Sequence, residues 1–218
     1  MPSRTGGLRE RKKEATRKAL REAALRLALE RGVDQVRVED IADAAGVSPR
    51  TYNNYFASRE QAIVAAVTAE REQRVAEALA NQPATAGLAE AVINAVVSEF
   101  TEPSERHRDT LITITGHPGV RQAYLESATA IEAPLANAIA ARLGGDEDTR
   151  RLKAEVLAAG VASAVRVALR RWVQPAATSS ALMVPSGSLA TLLTEALRQL
   201  APALEAAEDA CAGGSSEG

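Results

Sequence analysis

The sequence predicts an all-α fold: a small N-terminal three-helix domain followed by a larger helical bundle. Three observations carry this. Apolar side chains recur at the three- and four-residue spacing of a helix along almost the whole chain. The breaks between these stretches fall at clusters of Pro, Gly, Asn and Ser. No segment alternates apolar and polar residues as a half-buried strand would, and no internal repeat is visible.

Each element has its own signals. Residues 1–9 are short and polar and read as a flexible arm. A helix from about Glu10 to Glu30 carries an apolar stripe of Ala19, Leu20, Ala23, Ala24, Leu27 and Ala28, and Gly32 stops it. Two short helices follow, at about 39–45 and 49–56, with Gly46 between them. Ser48 is a good N-cap for the second, and Pro49 stands at the first-turn position that tolerates proline. Ser58 and Gln61 form a capping box for a helix read as continuous from 58 to 80. Further helices are expected at about 85–102, 104–115, 118–143, 147–173 and 187–209, with Pro134 kinking or dividing the third of these. Residues 210–218 form a Gly/Ser-rich tail. The expected division is thus an N-terminal domain at 10–60 and a body at 61–209.

Composition narrows the function. The chain has 218 residues, 46% of them hydrophobic, which is enough for a sizeable core. The net charge of -2 hides an asymmetry: residues 1–60 hold thirteen Lys/Arg against nine Asp/Glu, and the remainder thirteen against nineteen. A basic head therefore sits on an acidic body. The single cysteine, Cys211, excludes an intrachain disulfide and a cysteine-based metal site. No apolar run is long enough to span a bilayer and no signal peptide is apparent, so a cytoplasmic protein without membrane partners is expected. Two histidines, His107 and His117, have no acid–base–nucleophile surroundings. No phosphate-cradling loop or metal-ligand spacing appears, so no enzyme and no cofactor are expected.

The stretch "VEDIADAAGVSPRTYNNYFASREQAI", Val38 to Ile63, is the informative one. Three of the six aromatic residues, Tyr52, Tyr55 and Phe56, fall within five positions of it. Ile41, Ala42, Ala45 and Val47 can form a small seam between two short crossing helices, with Gly46 at the corner. The second helix presents Arg50, Asn53 and Asn54, side chains that pair with guanine and adenine edges in a major groove. Ser48, Thr51, Tyr52, Tyr55, Arg37 and Arg59 lie around them as candidate phosphate contacts. The basic residues from Arg9 to Lys18 add charge without sequence preference. On the residues alone the pair is either a DNA-reading helix-turn-helix or an αα-corner in a helical protein-interaction module, with Phe56 in its core.

The segment from Gly32 to Ile63, with the helix before it, resembles the N-terminal domain of the tetracycline-repressor-like family of bacterial transcription regulators. The resemblance rests on "IADAAGVS", an aromatic at 52, "YF" at 55–56 and "SREQ" at 58–61. It implies base contacts from Arg50, Asn53 and Asn54 and a phosphate contact from Tyr55. It also implies a backbone-facing or packing role for Tyr52, and a cationic clamp at Arg59 where the family has lysine. Where the family commonly carries Thr or Ser before "VEDIA", this chain has Arg37, which cannot cap as a hydroxyl does.

For the body, the broad apolar stripes at 147–173 and 187–209 are expected to build a homodimer through a four-helix interface, with Gly160 permitting a close crossing. Thr113, His117, Arg121, Tyr124 and Trp172 are candidate contacts for a small-molecule effector in an apolar cavity. The segment "ITGHPGVRQAYLES" and "ALRRW" at 168–172 resemble, faintly, the sub-family with an acyl-CoA-like ligand-binding domain that includes the mycofactocin regulator. Together these readings imply a homodimeric repressor of a palindromic double-stranded DNA operator, released when an effector moves the 58–80 helix like a lever.

Overall fold

The computed structural model describes residues 4–69, 71–101, 116–173 and 188–212, and every regular element among them is helical. The helices are α1 (Arg4–Arg31), α2 (Val38–Ala44), α3 (Pro49–Asn53), α4 (Arg59–Thr68), α5 (Arg71–Ala80) and α6 (Leu88–Thr101). They continue with α7 (Pro118–Glu126), α8 (Glu132–Arg142), α9 (Glu147–Trp172), α10 (Leu189–Arg198) and α11 (Ala201–Ala212). Short 3-10 turns lie at Val33–Gln35 and Ser127–Ile131. The chain forms two compact units: Met1–Ala69 with Asp109–Tyr124, and Glu70–Arg108 with Leu125–Gly218. The helix expected at 104–115 lies outside the described residues.

In the first unit, α1 packs along α4 and closes over α2. Its stripe of Leu20, Ala23, Ala24, Leu27 and Ala28 is buried with Ile41, Ala42, Tyr52, Phe56, Ile63 and Val64. α2 and α3 are too short to hold together alone, so this burial is what stabilises them. α1 begins at Arg4, inside the segment that the sequence assigns to an arm.

The second unit is a bundle in which α9 packs on α8 and α10, and α5 on α6 and α8. Two polar ties fasten its helix ends. The Arg142 guanidinium donates to the carbonyls of Gln82, Pro83 and Ala86 at 3.3, 3.1 and 2.7 Å, satisfying the turn between α5 and α6. The Glu208 carboxylate accepts the Leu88 N–H at 2.8 Å, so α11 caps α6 from 120 residues away.

Three expected helices are divided. The 58–80 helix breaks at Ala69, whose backbone is extended (φ -50°, ψ 133°). Neither Gly nor Pro marks the place, although the Thr68 hydroxyl turns back to the Val64 carbonyl at 3.0 Å, offering the helix a competing bond. The 118–143 segment divides at the 3-10 turn 127–131 rather than at Pro134, which sits in the first turn of α8 where its missing N–H costs nothing. The 187–209 helix divides at Gln199–Leu200, because Pro202 in the first turn of α11 cannot continue the preceding hydrogen-bond ladder. No described helix is long and apolar enough to cross a membrane.

Candidate nucleic-acid interface

The corner between α2 and α3 is closed by backbone alone. Val47 N–H reaches the Ala42 carbonyl at 3.0 Å and Gly46 N–H the Asp43 carbonyl at 3.0 Å, with Gly46 at φ 68°. This is the paired C-terminal bonding that needs a left-handed residue, and glycine takes it without steric cost. α2 starts at Arg37, whose N–H donates to the Asp40 carboxylate at 3.0 Å. The Arg37 guanidinium carries no acceptor atom and caps nothing; it stays exposed at the helix start.

Ser48 caps α3, accepting the Thr51 N–H at 3.2 Å, and its hydroxyl lies 2.9 Å from that of Thr51. One of the two hydroxyls donates to the other, which leaves one O–H of the pair to donate outward. Arg50, Asn53 and Asn54, at i, i+3 and i+4, are all exposed, so α3 offers its hydrogen-bonding side chains on one free face. Tyr55 is half-buried beside them.

Of the two roles left open for Tyr52, the structure gives it packing and not the phosphate contact. It is fully buried, its hydroxyl donates to the Ser58 carbonyl at 2.8 Å, and its ring lies 5.9 Å from that of Phe56. Burial, and then the nearby Glu60 charge, push its hydroxyl well above the usual tyrosine range. It packs α3 onto the start of α4 and has no reach to a phosphate. Two of the three clustered rings, Tyr52 and Phe56, therefore form a core beneath the exposed polar side chains. Arg17 stacks over Phe56 at 5.6 Å and ties α1 to the same core.

Arg59 is likewise used internally. Its Nη1 donates to the carbonyls of Asp34 and Val36 at 3.2 and 2.8 Å, and its Nε to Glu60 at 2.8 Å. Its Nη2 stands 4.0 Å from the Asp34 carboxylate. Burial raises the Glu60 carboxyl, but the Arg59 hydrogen bond, backbone and Ser58 bonds, and the Arg59 charge outweigh it and hold Glu60 below the usual range. Arg59 thus fixes the frame of the helix pair in place of the expected clamp on DNA. Besides Arg37 and Arg50, exposed cations stand on α1, where Arg11, Lys12, Lys13, Arg17 and Lys18 face outward. Arg21 does not join them, being buried and bonded to Glu14 at 3.2 Å.

The described effector candidates are divided between the two units. Thr113 lies outside the described residues. His117 faces Asp34, with Nε2 3.0 Å from its Oδ1, which removes the free ring edge a ligand contact needs. Arg121 is half-buried and Tyr124 fully buried in the first unit, while Trp172 is buried at the end of α9 in the second. A cleft of about 680 Å³ between α8 and α9 is lined by alanines such as Ala136 and Ala154 and by the charged Glu132, Glu147, Arg150 and Arg151, and none of the four described candidates lines it.

The stripes assigned to dimerisation largely face the protomer's own core. Val161, Val165, Ala168, Leu169, Leu193, Leu197 and Leu204 are buried, and a β-carbon at Gly160 would stand 3.6 Å from Leu200 of the same chain. What α9 leaves open is another line: Leu152 (64% exposed), Val156 (63%), Ala159, Ser163 and Val167 (39%). Among the described residues no group of acidic, histidine or cysteine side chains is arranged to hold a metal ion.

Known proteins agree with this architecture. Residues 20–66 match the model described as bacterial regulatory proteins, tetR family, and residues 82–205 match that of the MftR C-terminal domain. The HTH-type transcriptional regulator TcmR of Streptomyces glaucescens is 33% identical over 175 residues, 76% of each chain. The HTH-type transcriptional regulator BetI of Rhizobium meliloti (strain 1021) is 45% identical over 51 residues, 23% of this chain and 25% of BetI. In fold, the chain is similar to Thermus thermophilus FadR, a TetR family transcriptional repressor solved with lauroyl-CoA. That match has a TM-score of 0.50 and 23% identity, and covers 85% of this chain and 93% of the other. A capped, outward-facing recognition helix and a relative matched over three quarters of both chains lead to one conclusion: this chain belongs to the TetR family of bacterial transcriptional regulators.

Proposed function

We propose that the protein is a repressor that binds a palindromic operator as a homodimer and is released by a small-molecule effector. The observation that carries this is the exposure of Arg50, Asn53 and Asn54 together on α3, a helix capped at Ser48 and pinned from behind by buried Tyr52. Arg50 suits a bidentate contact to guanine, and the two asparagines suit adenine. Arg37, Tyr55 and the outward hydroxyl of the Ser48–Thr51 pair serve phosphates, and the α1 cations add the salt-sensitive share of affinity. One α3 per subunit enters successive major grooves.

The dimer face in this reading is the open line from Leu152 to Val167 on α9. Its spacing of four, three, four and four residues keeps it on one side of the helix, as a helix–helix seam requires. The small side chains of Ala159 and Ser163 at its middle let a partner helix come close. For the effector, the match of residues 82–205 to the MftR C-terminal domain and the lauroyl-CoA in the FadR structure support an elongated acyl thioester.

The test is fluorescence anisotropy of the purified protein on the DNA upstream of its own gene, with a scrambled duplex of equal length beside it. Specific binding that survives moderate salt better than the scrambled control supports the reading; equal and salt-fragile binding to both counts against it. Lauroyl-CoA is then added to the specific complex. Release is the expected result, and unchanged affinity despite measured binding of the thioester removes it as the effector.

A further inference from the structure

The two described places where the chain leaves the helix-turn-helix unit are built differently. After α4 the backbone breaks: Thr68 is the last helical residue, Ala69 is extended, and α5 starts afresh at Arg71. By contrast α7 runs as one helix from Pro118 to Glu126, and the first unit ends inside it at Tyr124.

The beginning of α7 is clasped to the helix-turn-helix. His117 stands at its N-cap, and its Nδ1 accepts the Val120 N–H at 3.4 Å. With Nδ1 an acceptor, the ring proton is on Nε2, which donates to Asp34 Oδ1 at 3.0 Å. Asp34 lies in the 3-10 turn leading into α2, and Arg59 at the start of α4 holds the carbonyl of Asp34 within that turn and of Val36 just after it. One carboxylate thus meets α7 through His117 and α4 through the nearby Arg59 Nη2. Gly119 makes the approach possible, because a β-carbon there would stand 3.2 Å from both Glu60 Cγ and the His117 ring.

We propose that Asp34 is a positioning residue for operator recognition, and that the Asp34–His117 clasp couples α7 to the recognition helix. This rests on the operator-binding reading above. It moves the link from a lever spanning 58–80, which the break at Ala69 interrupts, to a residue pair that closes α7 onto the turn before α2.

Coupling between sites is reciprocal, so operator binding at α3 must stabilise α7 if α7 controls α3. Amide hydrogen exchange of the full chain tests this, with and without an operator duplex selected by the wild type from a random-sequence library. In the wild type the duplex should slow exchange several-fold in α2–α3 and also at residues 119–126. H117N keeps a capping oxygen for α7 but is too short to meet Asp34; it should keep the first protection and lose the second. H117Q places an amide N–H where Nε2 was and should restore it, and D34A should repeat the H117N result. Protection of α2–α3 with none at 119–126 in the wild type, or undiminished protection there in both H117N and D34A, overturns the clasp and leaves operator binding standing. A chain that selects no duplex, or shows no protection of α2–α3, overturns the operator reading and the clasp with it.

Discussion

Arg59 Nη1 donates to the Val36 carbonyl at 2.8 Å, joining the first residue of α4 to the extended stretch before α2 across 23 positions of sequence. The bond closes the helix-turn-helix into a ring, because α2, the corner and α3 all lie between its ends. Arg59→Ala should destabilise the protein by about 1.5–3 kcal/mol, the range for hydrogen bonds to a charged donor. Arg59→Lys keeps the charge without the fork and should lose a similar share, read as urea midpoints. Equal stability of Arg59→Lys and the wild type would mean that charge alone matters there.

Tyr52→Phe removes one hydroxyl and leaves the ring in place. It should cost about 1 kcal/mol in stability by orphaning the Ser58 carbonyl, with operator affinity unchanged. A clear loss of affinity at unchanged stability would return Tyr52 to the phosphate contacts.

Arg50→Ala should lower affinity for the operator and flatten its sequence preference, with each lost base contact worth about 1–3 kcal/mol. Tyr55→Phe should weaken operator and random duplex alike. Parallel anisotropy titrations separate the two patterns, and a uniform loss for Arg50→Ala would reassign it to the phosphates.

The Glu60 carboxyl is held below its ordinary range in the folded chain. Its ionised form therefore contributes stability that is present above the unfolded value and is lost as pH falls through the folded one. Thermal midpoints of the wild type should drop on acidification below about pH 4.5, near the ordinary glutamate value. Glu60→Gln should flatten that part of the curve, and superimposable curves would remove Glu60 as a source of acid lability.

If the α9 line from Leu152 to Val167 is the dimer seam, Val156→Asp places a charge inside it. Sedimentation should then show a monomer at concentrations where the wild type is a dimer, with the helix content retained. A dimer of unchanged strength would place the interface elsewhere.

Much of this molecule is legible in the sequence, because the relevant signals are local. Helical periodicity, the Ser48 and Ser58 caps and the glycine at 46 act within a few residues, so α1, α2, α3 and α9 stand close to where the spacing puts them. The exposed set of Arg50, Asn53 and Asn54 follows from the same arithmetic, since residues three and four apart share a helix face. The Ala69 break carries no Gly or Pro and is not legible. Pro202 is a signal present in the sequence that a single helix over 187–209 leaves unused.

The sequence by itself determined the helices, the corner and the residues on the open face of α3. Tertiary structure decided which polar groups are free to act. Tyr52 and Arg59 look like surface contacts in one dimension. The chain fold brings the Ser58 carbonyl to one and the Asp34 and Val36 carbonyls to the other, and those bonds use up the donors. His117 and Asp34 are 83 residues apart, and no local rule joins them. The line that α9 leaves exposed was decided in the same way, because α8 and α10 had already covered the stripe that periodicity alone would have offered.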